Sequence, residues 1–178
     1  MMRKDGFTII ELLVTLIILG ILASIAIPGF SRLIPNYRLR SALRDVCSNF
    51  QLAKMTAVRR NRNCTVTFNQ AIGGTTYNYA VYVDSDKDLE YDAGEEIVIQ
   101  VLFSERYEGV TFDTSQGGGD GLTFGDNDDG LPSIAFSSNG FTKNNTGGFG
   151  TGTAFLKNTK NRTGSVVVSP LGNININY

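Results

Sequence analysis

The chain contains no histidine, which removes the commonest general base and the commonest transition-metal ligand together. Cysteine is scarce. Cys47 and Cys64 are the two present, too few for a zinc cluster built on Cys-x-x-Cys pairs and enough for one disulfide. Net charge is small, at -1 from 16 basic and 17 acidic residues, so overall charge gives no reason for a polyanionic partner. Without histidine, the serines and aspartates form no recognisable nucleophile–base constellation. The expectation is a protein that is not an enzyme and needs no cofactor.

What charge there is has been sorted along the sequence. From Arg32 to Arg62 eight basic residues face one acid, Asp45. From Asp84 to Asp129 fourteen acids face Lys87 and Arg106, and beyond Gly130 the charges are Lys143, Lys157, Lys160 and Arg162. At 178 residues the chain is long enough for one modest domain and an anchor.

The anchor is at the amino end. Phe7–Ile27 is a 21-residue apolar run broken by a single charge, Glu11. As a helix it spans roughly 31 Å, about the thickness of a bilayer's hydrocarbon core. A secretory signal would place small-residue cleavage after the run, but the sequence continues into Pro28-Gly29-Phe30. Arg3 and Lys4 precede the run, so that end should stay cytoplasmic and the remainder should face outward. Glu11 lies among Ile9, Ile10, Leu12 and Leu13. A carboxylate at a helix centre in lipid costs about 2.5–3.5 kcal/mol, less near an end, so a partner is expected.

Lys4-Asp5-Gly6-Phe7-Thr8-Ile9-Ile10-Glu11 resembles the class III signal of type IV pilins and pseudopilins. The resemblance implies cleavage after Gly6 by a prepilin peptidase and methylation of the new amino group on Phe7. It also implies that Glu11, fifth in the mature chain, pairs with the charged amino terminus of a neighbouring subunit. That pairing would give each buried charge what the other lacks. Gly20 and Pro28 fall where the family's helix locally unwinds in filaments, and both residues weaken a helix.

Past the anchor, Leu39, Ala42, Leu43, Val46, Phe50, Ala53 and Ala57 recur at helical spacing, predicting helix from Phe7 to about Arg60 apart from a bend near Pro28. Strands are then expected near 64–68, 75–83, 96–103, 109–112, 133–136, 153–156, 165–169 and 173–177, separated by Gly- and Asn-rich turns. The fold class is α+β, a long helix packed on the antiparallel sheets of a carboxy-terminal head. The expected division is a leader at 1–6, an anchor or filament-core helix at 7–30, and an amphipathic helix with its β-rich head at 31–178. Gln51–Asn61, Tyr82-Val83-Asp84 leading to Asp92-Ala93-Gly94-Glu95, and Val166–Gly172 are similar to the GspH/FimT-type pseudopilins. That similarity implies a minor subunit of a type II secretion pseudopilus or type IV pilus. Its place would be at or near the tip, where it primes assembly, with the inner membrane, prepilin peptidase and other subunits as partners.

Three further features bear on chemistry. Asp84, Asp86, Asp88, Glu90, Asp92 and Glu95 occupy positions 1, 3, 5, 7, 9 and 12 of a twelve-residue window, a spacing that suits calcium. Leu89 stands where such a loop wants glycine and strands flank it, so a solvated acidic hairpin competes with a cation site. Asp126, Asn127, Asp128 and Asp129 form a second acidic cluster, also read as solvated. For Cys47 and Cys64, a helix ending at Arg60 carries the chain roughly 20 Å away. Four extended residues bring it back only about 14 Å, while a bridge needs Cα atoms within about 7 Å. Disulfide and two free thiols both stay open, the bridge being easier if the helix stops by Val58. Finally, Arg59-Arg60-Asn61-Arg62 and Lys157–Arg162 are the basic stretches. Some FimT-type pilins bind DNA through basic residues after the glycine corresponding to Gly172. Asn173-Ile174-Asn175 follows here, which speaks against a nucleic-acid partner; a DNA- or surface-binding tip pilin is the alternative reading.

Overall fold

The computed structural model describes residues 7–178, the side chains at 27–29 and 31–32 excepted. The leader, with Gly6, lies outside the described residues, as does the side chain of Pro28. Helix α1, Ile9–Arg60, runs 52 residues without interruption through Gly20 and Pro28. It begins two residues later than Phe7 because Thr8 is extended and caps it. Asn61 ends it in the left-handed region (φ 53°), donating its backbone N–H to Ala57 and Val58. Asparagine tolerates that conformation, and Arg59 and Arg60 in the last turn oppose the helix dipole.

All seven residues of the apolar stripe, Leu39 to Ala57, are buried. They meet two antiparallel sheets. The first contains β1 (Asn63–Phe68), β4 (Tyr79–Asp84), β5 (Glu96–Val101), β7 (Ser133–Phe136) and β8 (Thr142–Lys143), in the order β5-β4-β1-β7-β8. The second contains β6 (Val110–Phe112), β9 (Gly152–Asn158), β10 (Thr163–Val168) and β11 (Ile174–Asn177), in the order β11-β10-β9-β6. A small hairpin, β2 (Ala71–Ile72) with β3 (Thr75–Thr76), turns on Gly73 and Gly74, both at positive φ. Two left-handed residues in a row give the primed turn that matches strand twist, and glycine takes that conformation without cost. The class is therefore α+β, with the helix laid across both sheets.

Aromatic rings fill the space between helix and sheets. Phe68 stacks on Phe124 with centroids 4.9 Å apart, and Phe50 from α1 sits against Phe68, Phe124 and Phe136 at 5.8–6.3 Å. Close approach of α1 to β10 depends on Gly164: a Cβ there would lie 2.4 Å from Leu43 Cδ1. The strand expected over 96–103 stops early. Phe103 instead opens a short helix α2, Phe103–Arg106, its N–H donating to Asn78 Oδ1 at 2.7 Å while its ring is buried.

The disulfide left open by the sequence is not formed; Cys47 and Cys64 are free thiols. Because α1 continues past Val58 to Arg60 and β1 starts at Asn63, the connection is too short to return the chain to the level of Cys47. Burial pushes the Cys64 thiol up to about 12, keeping it protonated and unreactive.

Candidate functional site

Among the described residues, the Ile9–Ala26 stretch of α1 is buried by no other element. It is an 18-residue window of mean hydropathy 2.7, so it is long and apolar enough to cross a bilayer. At its start the Thr8 Oγ1 accepts from the Glu11 N–H at 3.3 Å. Glu11 Oε2 in return accepts from the Thr8 N–H at 3.0 Å and from its hydroxyl at 2.9 Å. This is a reciprocal capping box. Thr8-Ile9-Ile10-Glu11 carries the Thr-x-x-Glu signature of that box, a signal within the sequence that adds Thr8 to the residues singled out above. The carboxylate is thus positioned by its own first turn, on the rim of an otherwise apolar and exposed helix.

At the other end of α1 lies the acidic loop between β4 and β5. Asp84 is its keystone, buried at 1% exposure. Its Oδ1 accepts from the Lys87 N–H at 2.6 Å; its Oδ2 accepts from the Thr65 hydroxyl at 2.9 Å and the Leu89 N–H at 3.2 Å. Burial pushes the Asp84 carboxyl up, against the pull of those hydrogen bonds. Leu89 occupies the left-handed region (φ 66°) with its side chain buried, so it anchors the loop where a calcium loop would have glycine. Its carbonyl accepts from Tyr82 Oη at 2.9 Å and Asn127 Nδ2 at 3.0 Å, which ties the second acidic cluster to the first.

The six acids do not converge. Asp84, Asp86 and Asp88 each bring one oxygen within 4.8 Å of the others. Glu95 is turned to the backbone instead, accepting from Ser85 N–H at 2.7 Å and Asp92 N–H at 3.3 Å. Glu90 and Asp92 add no oxygen to that trio. A hard cation wants six to eight oxygens, and both oxygens of Asp84 already accept hydrogen bonds from the chain.

The basic stretches are also separated. Arg60 forks onto Glu96 and Arg62 reaches the Ser85 hydroxyl at 3.5 Å, both beside the acidic loop. Lys157 pairs with Asp113 at 3.2 Å, and Asn158 Nδ2 donates to Asn36 Oδ1 at 3.0 Å, which puts the β9–β10 turn at the end of the head nearest the apolar half of α1. Gly172 holds a left-handed φ of 73°, and its carbonyl accepts from Lys54 Nζ at 2.9 Å. That fixes the start of β11 to α1.

Residues 42–172 match the family model described as Type II transport protein GspH, well over half of the chain. The chain belongs to the GspH family. Residues 1–27 of this GspH-family chain match the prokaryotic N-terminal methylation motif. It is also similar to the pilin-like protein PilA1 of Thermus thermophilus, 36% identical over 97 residues. That alignment covers 53% of this chain and 58% of the relative, so the chain spans less than two thirds of the relative's length. No solved structure matches. The motif and the exposed apolar helix together indicate a membrane-anchored chain of the pilin type.

Proposed function

We propose that this GspH-family chain is a minor pilin or pseudopilin, a structural subunit placed at or near the tip of a type II secretion pseudopilus or type IV pilus, where it primes assembly. The observation that carries the reading is a bare apolar helix, Ile9–Ala26, with one carboxylate at its rim. No fold needs such a face for its own stability, and a chain that keeps it must cover it with lipid or with other subunits. A prepilin peptidase removes 1–6 and the new amino group of Phe7 is methylated. Residues 7–30 sit first in the inner membrane and then in the filament core, with 31–178 directed outward. Glu11 docks on the amino terminus of the neighbouring subunit, and the helix yields at Gly20 and Pro28 as it packs.

The test is fractionation of the native filament. Sheared and purified filaments should carry the protein at a few copies each, concentrated at one end by immunogold labelling. Complete absence from filaments of cells that make both would contradict the subunit reading, and labelling along the whole length would contradict the tip position.

A further inference from the structure

The apolar face of α1 does not end where the span ends. Beyond Ala26, Phe30, Leu33, Ile34 and Tyr37 are 61%, 63%, 47% and 73% exposed. Their spacing puts them on one stripe of the helix. The head covers the opposite side, where Asn36 accepts from Asn158 and Leu39 enters the core. One turn further along, within about a quarter turn of the stripe, stand Arg40 and Arg44, both exposed. Among the described residues Arg44 has no ion-pair partner, and Arg40 has the ring of Tyr178 at 5.7 Å.

Length decides what this face meets. From Ile9 to Tyr37 the helix rises roughly 42 Å, against roughly 30 Å of hydrocarbon. A helix whose apolar surface outruns the bilayer tilts. Leaning on the stripe lays Phe30–Tyr37 along the outer leaflet and puts the tyrosine at headgroup level, where aromatic residues are favoured. Arg40 and Arg44, roughly 5 and 10 Å farther on, then reach back to the phosphates with their long stems.

We propose that this outer face of α1 is a lipid-docking surface: before assembly the stripe Phe30-Leu33-Ile34-Tyr37 beds in the outer interface of the anchoring bilayer, and Arg40 and Arg44 engage its anionic phospholipid headgroups. The occupant is the bilayer itself, because the stripe is continuous with the span and ends in positive charge. The inference rests on the membrane-anchored reading. It adds a defined tilt and a defined cover for a surface that assembly must later expose.

The chain contains no tryptophan, so single replacements report without background. The full chain, reconstituted in phosphatidylcholine vesicles with or without phosphatidylglycerol and with brominated acyl chains as quencher, is compared as Leu16→Trp, Tyr37→Trp and Met55→Trp. Leu16→Trp should be quenched in both lipids and Met55→Trp, on the same face roughly 27 Å beyond Tyr37, in neither. Tyr37→Trp should be quenched and blue-shifted, more so with phosphatidylglycerol. Adding Arg40→Glu and Arg44→Glu should move its equilibrium toward water by roughly five-fold per arginine. Quenching of Leu16→Trp with none for Tyr37→Trp would overturn the lipid surface and leave the anchor standing. No quenching of Leu16→Trp would bring down the anchor and this inference together. A blue shift of Tyr37→Trp without quenching, growing with protein density, would make a neighbouring subunit the cover and refute lipid. Quenching indifferent to anionic lipid and to the arginines would refute the headgroup contact.

Discussion

Glu11 answers to two demands that a pair of substitutions can separate. Its carboxylate completes the Thr8 capping box, and its charge is the proposed handle for a neighbour's amino terminus. Glu11→Ala removes both, whereas Glu11→Gln keeps a side chain that can close the box. Both variants should be cleaved normally, and both should fail to enter filaments, as read by immunoblot of the sheared fraction. Incorporation of Glu11→Gln at the wild-type level would assign the residue to capping alone. Gly164 is constrained by packing instead. Gly164→Ala forces a Cβ into Leu43, and overpacking of this kind costs about 1–3 kcal/mol; unfolding of the detergent-solubilised chain should show it. A lower cost would mean that α1 shifts freely on β10. Sequence reading reaches the first residue and not the second. A lone acid in an apolar run is visible one-dimensionally, but a glycine inside a strand is explained only by the partner that approaches it, 121 positions away in the case of Leu43 and Gly164.

The acidic loop joining β4 to β5 sets the pH response. Burial is the first cause that raises Asp84, Glu90 and Glu95 above their ordinary values of 3.8, 4.5 and 4.5, with Asp129 and Asp88 adding to the rise at Glu90. A carboxyl raised in the folded state holds its proton more tightly there, so stability falls as pH climbs from the ordinary to the raised value, and the whole cost is present at neutral pH. Asp113 has the opposite sign. The Ser115 hydroxyl first, then the Ser115 N–H and Lys157, hold it below 3.8. Its contribution is complete above that pH and is lost as pH falls through its depressed value. The melting temperature of the full chain should therefore rise as pH is lowered from neutral toward 4.5 and drop below 3.8. A steady fall from neutral downward would contradict this account of the loop. At neutral pH, calcium should stabilise no more than magnesium, because only three oxygens gather and Asp84 is occupied. A shift of several degrees specific to calcium, abolished by Asp84→Asn with Asp86→Asn, would show a cation site. Elements with a clear pattern are legible in the sequence: the α1 stripe at 3.6 and the β-branched runs of β1 and β10. The two-residue strands β2 and β8 and the short α2 are not, since pieces that brief carry no period and form because neighbours present partners, as Asn78 does for Phe103.

Taken whole, the molecule is a head that satisfies itself and a helix that does not. The stripe from Leu39 to Ala57 is closed by two sheets, while Ile9–Ala26 is left bare. Composition and the amino-terminal motif were enough to place that asymmetry. Strand order was not legible, because β5-β4-β1-β7-β8 joins residues far apart in sequence. Nor was the state of the two cysteines, which turned on whether α1 stopped at Val58 or ran on to Arg60. The central claim, a processed and assembled pilin-like subunit, is tested most directly by mass spectrometry of protein extracted from the membrane of cells with an active peptidase. The account predicts a mature chain that begins at Phe7 and carries one methyl group on its amino nitrogen. A mature start inside or after 24–28, as signal-peptide cleavage would leave, would contradict it.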